Sequence, residues 1–312
     1  MDAKKDVAAE IDFEKTAVKV SLVSIIGNIA LSLLKLLVGI FAHSGALVSD
    51  AVHSASDVFS SIIVIIGVKL SARDSDDDHP YGHERLECVA AIILAMVLLM
   101  TGLFIGYQAV RNIISGDYAN LSVPGVLAIV AAAVSIVVKE LMFRYTKHYA
   151  KKLDSGALMA DAWHHRSDAL SSVGALIGVV GARLGLPVLD SVASLVICLF
   201  IAKAAYDIFK DAVDKMVDHS CDKETEDELW ECVTQQKGVI GVDMLTTRLF
   251  GNKIYVDIEI AVDGDLTLRE AHAIAERVHS TIEQRFPKVK HIMVHVNPAD
   301  GGKTTVTADK PQ

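Results

Sequence analysis

Cysteine is sparse in this chain: Cys88, Cys198, Cys221 and Cys232 are the only four among 312 residues. None stands in a C-x-x-C spacing, which sets aside both a thiolate zinc cluster and a disulfide framework. Cys198 reads instead as a small packed residue. Positive charge is also in short supply. The formal net charge is −9, which argues against a nucleic-acid partner. Residues 1–15 alternate acids and bases. They have neither an apolar signal core nor the Arg-rich character of a transit peptide, so the first apolar segment is expected to be retained. Lysine and arginine are missing from every second link of the chain, near 42–45, 115–121 and 184–186.

What is abundant is apolar. Hydrophobic residues make up 52% of the chain, and the mean hydropathy is +0.39. Six stretches, about 17–41, 46–70, 88–114, 122–146, 157–183 and 187–209, are each long enough to cross a bilayer as helix. Six such stretches with links of a few residues do not fit a soluble helical bundle. Lys4, Lys5 and Lys15 precede the first. Arg73 and Arg85 follow the second, Arg144, Lys147, Lys151 and Lys152 the fourth, and Lys210 and Lys215 the sixth. Basic links face the cytoplasm, so both termini are expected there. The resulting division is a cytoplasmic segment 1–16, a six-helix transmembrane domain 17–215, a cytoplasmic domain 216–299 and a polar, disordered tail 300–312.

The second and fifth stretches repeat each other. Residues 44–61 read SGALVSDAVHSASDVFSS and residues 155–172 read SGALMADAWHHRSDALSS, identical at eleven of eighteen positions. The orientation rule runs the two helices in opposite directions, which is the signature of an inverted repeat with a site near the bilayer midplane. His53 and Asp57 are i and i+4, as are His164 and Asp168, so each pair points from one helix face. Counted from the start of the motif, each pair lies roughly 14 and 20 Å along its helix, mid-way through a core of about 30 Å. A carboxylate there costs on the order of 2.5–3.5 kcal/mol unless it lines a cavity, pairs or binds an ion. Two imidazoles and two carboxylates make a tetrahedral set that suits Zn²⁺. An all-oxygen set would favour Mn²⁺ or Mg²⁺. His165 is a rival to His164, but the repeat aligns His164 with His53. Asp50 and Asp161 lie two turns away and could serve an access path or helix packing.

Residues 74–83 read DSDDDHPYGH, three carboxylates followed by two histidines four apart. This is either a solvated acidic turn broken by Pro80 or a divalent-cation site. Beyond it the pattern becomes that of soluble protein. Residues 222–237 read as helix, 243–249 and 253–262 as strands joined by Gly251-Asn252, 267–286 as an amphipathic helix and 291–298 as a last strand. Leu268, Ala271, Ala275, Val278, Ile282 and Phe286 mark the apolar face of that amphipathic helix.

Together the two His-x-x-x-Asp pairs, the DHPYGH link and the αββαβ tail resemble the cation diffusion facilitator family, over residues 15–298. The resemblance implies an all-α membrane domain of six transmembrane helices plus a cytoplasmic α+β domain of metallochaperone-like αββαβ order. It also implies a homodimer in the plasma (inner) membrane. The implied activity is secondary active transport, not enzyme catalysis: Zn²⁺ leaves the cytoplasm in exchange for H⁺, with no organic cofactor. Fe²⁺, Mn²⁺, Co²⁺ and Cd²⁺ are the rival cargoes. A metal-binding membrane scaffold and an intramembrane metal hydrolase are the rival classes. The resemblance further implies a second metal site of Asp76, His79 and His83. In the tail it maps ligand positions onto Asp243, Glu259, His295 and Asn297. Neutral Asn297 stands there in place of a carboxylate, so a full binuclear zinc site is not expected. A regulatory ion would rest on Asp243, Glu259 and His295.

Overall fold

The computed structural model describes residues 3–41, 51, 54–55, 57–115, 126–183 and 188–299. The chain divides into two compact units, residues 1–213 and 214–312.

Among the described residues the first unit is built of helices: α1 (Ala3–Phe41), α2 (Val58–Ser71), α3 (Arg85–Ser115), α4 (Val126–Leu153), α5 (Gly156–Arg183) and α6 (Val188–Met216). Among the described residues two segments, Phe13–Val38 and Arg85–Ser115, are long and apolar enough to cross a membrane, and Val58–Ser71 is a shorter apolar helix. The charged residues read as a separate N-terminal segment are helical from Ala3, continuous with the first apolar stretch. Nothing in AKKDVAAEIDFEK breaks a helix, since it holds neither proline nor glycine. In the stretch read as 46–70, Ala51, Ser54 and Ala55 are helical, α2 is described from Val58, and Asp57 sits just before it with helical dihedrals (φ −64°, ψ −17°). His53 and Asp50 lie outside the described residues.

The polarity of this unit is inverted relative to a soluble bundle. On α1 the buried stripe runs Ala17, Val20, Ser24, Asn28, Leu31, Lys35. The exposed stripe is Leu22, Ile26, Ile29, Leu33, Leu37 and Ile40. On α3 the outward residues include Met96, Met100, Phe104 and Tyr107. Exposed apolar patches of this extent call for a non-aqueous surrounding. Small residues let the helices approach. A Cβ on Gly106 would lie 2.5 Å from Cys198 Sγ, and one on Gly102 would lie 2.8 Å from Ile201 Cγ2, so α3 and α6 meet backbone to side chain. The corner between α4 and α5 is two residues long. Asp154 turns the chain at φ 55°, a conformation that Asp tolerates. The Ser155 Oγ then caps α5 by accepting from the Leu158 N–H at 3.2 Å.

The second unit contains α7 (Lys223–Thr234), β1 (Gly241–Phe250), β2 (Lys253–Asp263), α8 (Leu268–Arg285) and β3 (Val289–Ala299). The sheet order is β1-β2-β3, with β1 antiparallel and β3 parallel to β2. Gly251 turns the β1–β2 hairpin at φ 63°, where L-residues are strained. Ile254, Val256, Ile258 and Ile260 form the buried face of β2. They pack with Leu229 of α7 and with Ile274, Val278 and Ile282 of α8. The face assigned to α8 is corrected at its start: Leu268 is 87% exposed, while Ile274 belongs to the core. Leu268 directly follows the N-cap Thr267, so it belongs to the first turn, before the stripe reaches the sheet. None of the four cysteines forms a disulfide.

A candidate metal site among four helices

Three of the motif residues converge. Asp57, His164 and Asp168 place one ligand atom each within 4.8 Å of one another. Asp57 directly precedes α2 with helical dihedrals, and Ala51, Ser54 and Ala55 before it are helical too. Its side chain makes no cap of that helix. It reaches across instead, with Oδ1 3.4 Å from His164 Nε2. His164 and Asp168 project from one face of α5, and both are largely buried. His164, not His165, is therefore the imidazole that reaches Asp57. His165 is fully buried on another face, with Nε2 3.6 Å from Asp161 Oδ2. Asp161, also fully buried, accepts from the Ser60 and Ser61 hydroxyls at 3.0 and 3.2 Å. That carboxylate ties α5 to α2, and the serine pair closing the repeated motif supplies the donors.

One residue of the site escaped the sequence reading. Lys139 on α4 donates to Asp57 Oδ2 at 2.6 Å, to Asp168 Oδ2 at 2.7 Å and to Asn28 Oδ1 at 2.9 Å. Its side chain is 2% exposed. The signal was present: a lysine inside an apolar span is a functional candidate by default.

A second grouping is Asp76, His79 and His83, again with ligand atoms within 4.8 Å. His79 Nδ1 lies 3.0 Å and His83 Nε2 3.4 Å from the two oxygens of Asp76. Hydrogen bonds from the His79 ring and from its backbone N–H hold the Asp76 carboxyl below the usual carboxylate range. Gly82, at φ 97°, makes the reversal that brings His83 back toward Asp76. His83 is buried and Asp76 exposed, so the grouping opens to solvent on one side.

Among the described residues these are the two groupings with metal-ligand spacing. Asp243, Glu259 and His295 do not form a third. A β-bulge falls at Asp243. There its Oδ2 accepts from Asn297 Nδ2 at 2.9 Å, and Glu259 Oε2 accepts from the same amide at 3.3 Å. Asn297 thus links the two carboxylates by hydrogen bonds. His295 is exposed on β3, in register with Glu259.

The comparisons with known proteins decide the family. Residues 21–217 match the cation efflux transmembrane domain, and residues 221–299 match the cytoplasmic domain of cation efflux proteins. The chain belongs to the cation diffusion facilitator family. Its relatives in that family include an uncharacterized transporter of Methanocaldococcus jannaschii, 38% identical over 89% of this chain and 97% of the relative. The manganese efflux system protein MneP of Bacillus subtilis is 32% identical over 91% of this chain and 97% of its own length. The magnetosome protein MamB of Magnetospira sp. is 33% identical over 87% and 92%. A solved MamM-CTD variant aligns at 26% identity and a TM-score of 0.25, covering 25% of this chain and 98% of its own. As a family member with lipid-type helix surfaces, the chain is a membrane protein of the cation-efflux type.

Proposed function

We propose that this protein exports a divalent metal ion from the cytoplasm in exchange for protons. Six membrane spans would hold a transport site of His53, Asp57, His164 and Asp168. The observation that carries this reading is the convergence of Asp57, His164 and Asp168 within 4.8 Å. They come from the two copies of a repeated motif, in a bundle whose outer faces are apolar. Imidazole and carboxylate bind either a metal or a proton, so loading with one releases the other. An inverted pair of half-repeats provides the alternation of access. His53 enters by the register of the repeat. Lys and Arg in alternate links support cytoplasmic termini in the plasma (inner) membrane. The second unit would serve dimerisation between two copies, consistent with its match to the family's cytoplasmic domain. The Asp76, His79 and His83 grouping would concentrate or sense the cation near the cytoplasmic mouth, since clustered negative charge raises local cation concentration.

Zinc is the first reading of the cargo, because imidazole nitrogens suit it. Manganese is the second, favoured by likeness to MneP and to MneS, two manganese efflux system proteins of B. subtilis. Calorimetric titration of the full chain with Zn²⁺, Mn²⁺, Fe²⁺, Co²⁺ and Cd²⁺ separates them. Binding that survives Asp57→Ala and Asp168→Ala at undiminished stoichiometry would remove these residues from the site. Tight binding without flux in reconstituted vesicles would favour the scaffold class instead.

A further inference from the structure

The Lys139 ammonium lies where a cation would sit. It bridges one oxygen of Asp57 and one of Asp168, at 2.6 and 2.7 Å. Asn28 supplies a third acceptor at 2.9 Å. These are the distances of short charge-assisted hydrogen bonds. Three converging oxygen acceptors from α1, α2 and α5 form a cradle for one positive charge. The amine is almost fully enclosed, so water does not screen it. The neighbouring acid Glu140 does not share it. The Glu140 carboxylate faces the other way, toward Arg144 at 2.9 Å and Arg166 at 3.5 Å.

We infer that Lys139 is a tethered counter-cation of the transport site, which fills the position between Asp57 and Asp168 when no metal is there and which an incoming divalent ion must displace. The inference rests on the site proposed above and adds a device for selectivity. Two carboxylates and one ammonium carry a net charge of −1. A dication added to them with the ammonium still in place would put two positive centres a few ångströms apart in a buried site, where repulsion is strong. Metal entry therefore requires the amine to leave both carboxylates, and Asn28 Oδ1 remains as its acceptor on the α1 side. A free monovalent ion has no charge advantage over an ammonium held on the same chain at high effective concentration. A divalent ion does. The lysine thus excludes Na⁺ and K⁺ without any wall of its own. Its return to the carboxylates helps to expel the metal on the far side, and the empty carrier is left with its carboxylates paired.

The test uses the full chain in detergent and in proteoliposomes, with Zn²⁺ and Mn²⁺ as probes. Lys139→Gln removes the charge. Lys139→Met removes it at nearly constant length, and Lys139→Arg keeps it. Each charge-removing variant should bind the dication roughly tenfold tighter or more, the scale of one lost charge-assisted hydrogen bond in the competing state. In transport, both the half-saturating concentration and the maximal flux should fall. Potassium chloride should compete with the dication in these variants more than choline chloride at equal ionic strength, whereas the two salts should act alike on wild type and on Lys139→Arg. A lysine that merely ties helices together would move none of these readouts in that direction. Equal or weaker dication binding by Lys139→Gln and Lys139→Met, with one equivalent of binding lost in Asp57→Asn, would overturn the inference and leave the site intact. Dication binding that persists in Asp57→Asn at undiminished stoichiometry would instead overturn the site itself, and this inference with it.

Discussion

Asp161→Ala should destabilise the helical unit without weakening metal binding by the molecules that remain folded. Asp161 is 0% exposed, and its carboxylate accepts from Ser60 at 3.0 Å and from Ser61 at 3.2 Å. Removing it strands the Ser61 hydroxyl, leaves the Ser60 hydroxyl with only the Asp57 carbonyl oxygen at 2.8 Å, and leaves His165 Nε2, 3.6 Å away, facing a hole. Hydrogen bonds to a charged group contribute about 1.5–3 kcal/mol each. The cost of keeping a carboxylate dry, which the variant no longer bears, offsets part of that sum. One charge-assisted bond is lost outright, so the expected net loss is about 1.5–3 kcal/mol. Asp161→Asn, which keeps an acceptor oxygen, should lose clearly less. Ser61→Ala should cost about 1.5–3 kcal/mol alone and much less in the Asp161→Ala background, because its partner is already gone. The assay is unfolding in detergent followed by circular dichroism, with zinc titration of each variant. A loss below about 1 kcal/mol, the level of an exposed ion pair, would refute the role of Asp161 as a tie between α2 and α5. So would strict additivity with Ser61→Ala.

Three further outcomes follow from the geometry. Gly106→Val forces a branched side chain toward Cys198 Sγ, which already stands 2.5 Å from where the Cβ would be; overpacking should cost about 1–3 kcal/mol of stability in the same unfolding assay. Asp222 caps α7 by accepting from the Thr225 backbone N–H and hydroxyl, both at 2.9 Å, and the first of these bonds leads in holding its carboxyl below the ordinary value. Such a group contributes stability above its unfolded value and loses it as pH falls through the depressed folded value. Asp222→Ala should therefore cost about 0.5–2 kcal/mol at neutral pH and leave a shallower acid limb in a pH series of unfolding curves. Asn297→Asp replaces the amide that bridges Asp243 and Glu259 with a third acid; it should lower melting temperature in chelator and show a zinc-dependent rise larger than that of wild type, read by differential scanning calorimetry.

Much of the candidate site was legible because its signal was a repeat. Asp57, His164 and Asp168 stood in matching registers of two segments, and comparing two helices is stronger than reading either alone. The choice of His164 over His165 also came from register, and the geometry sends the two rings to different carboxylates. The Asp76, His79 and His83 grouping was legible from spacing together with family likeness, although spacing alone was equally compatible with a solvated turn. Lys139 has no counterpart in the repeat, so register does not single it out, and it lies outside the links, where lysines report orientation. A lone buried lysine gains its meaning from acceptors on three other helices, and none of that pairing is local in sequence. The tail shows the same limit. The alternation in β2 and the turn at Gly251 announced the hairpin. Only the fold showed that Asn297 meets Asp243 and Glu259, and that Leu268 faces outward while Ile274 faces in.

The most direct measurement is metal flux in proteoliposomes that contain the full chain and a metal-sensitive dye. A proton gradient is imposed with the metal and the protons on opposite sides. The account predicts zinc or manganese movement against the proton flow in wild type, abolished when the gradient is collapsed and lost in Asp57→Ala and Asp168→Ala. Flux that persists unchanged in both variants, or that ignores the proton gradient, would contradict it.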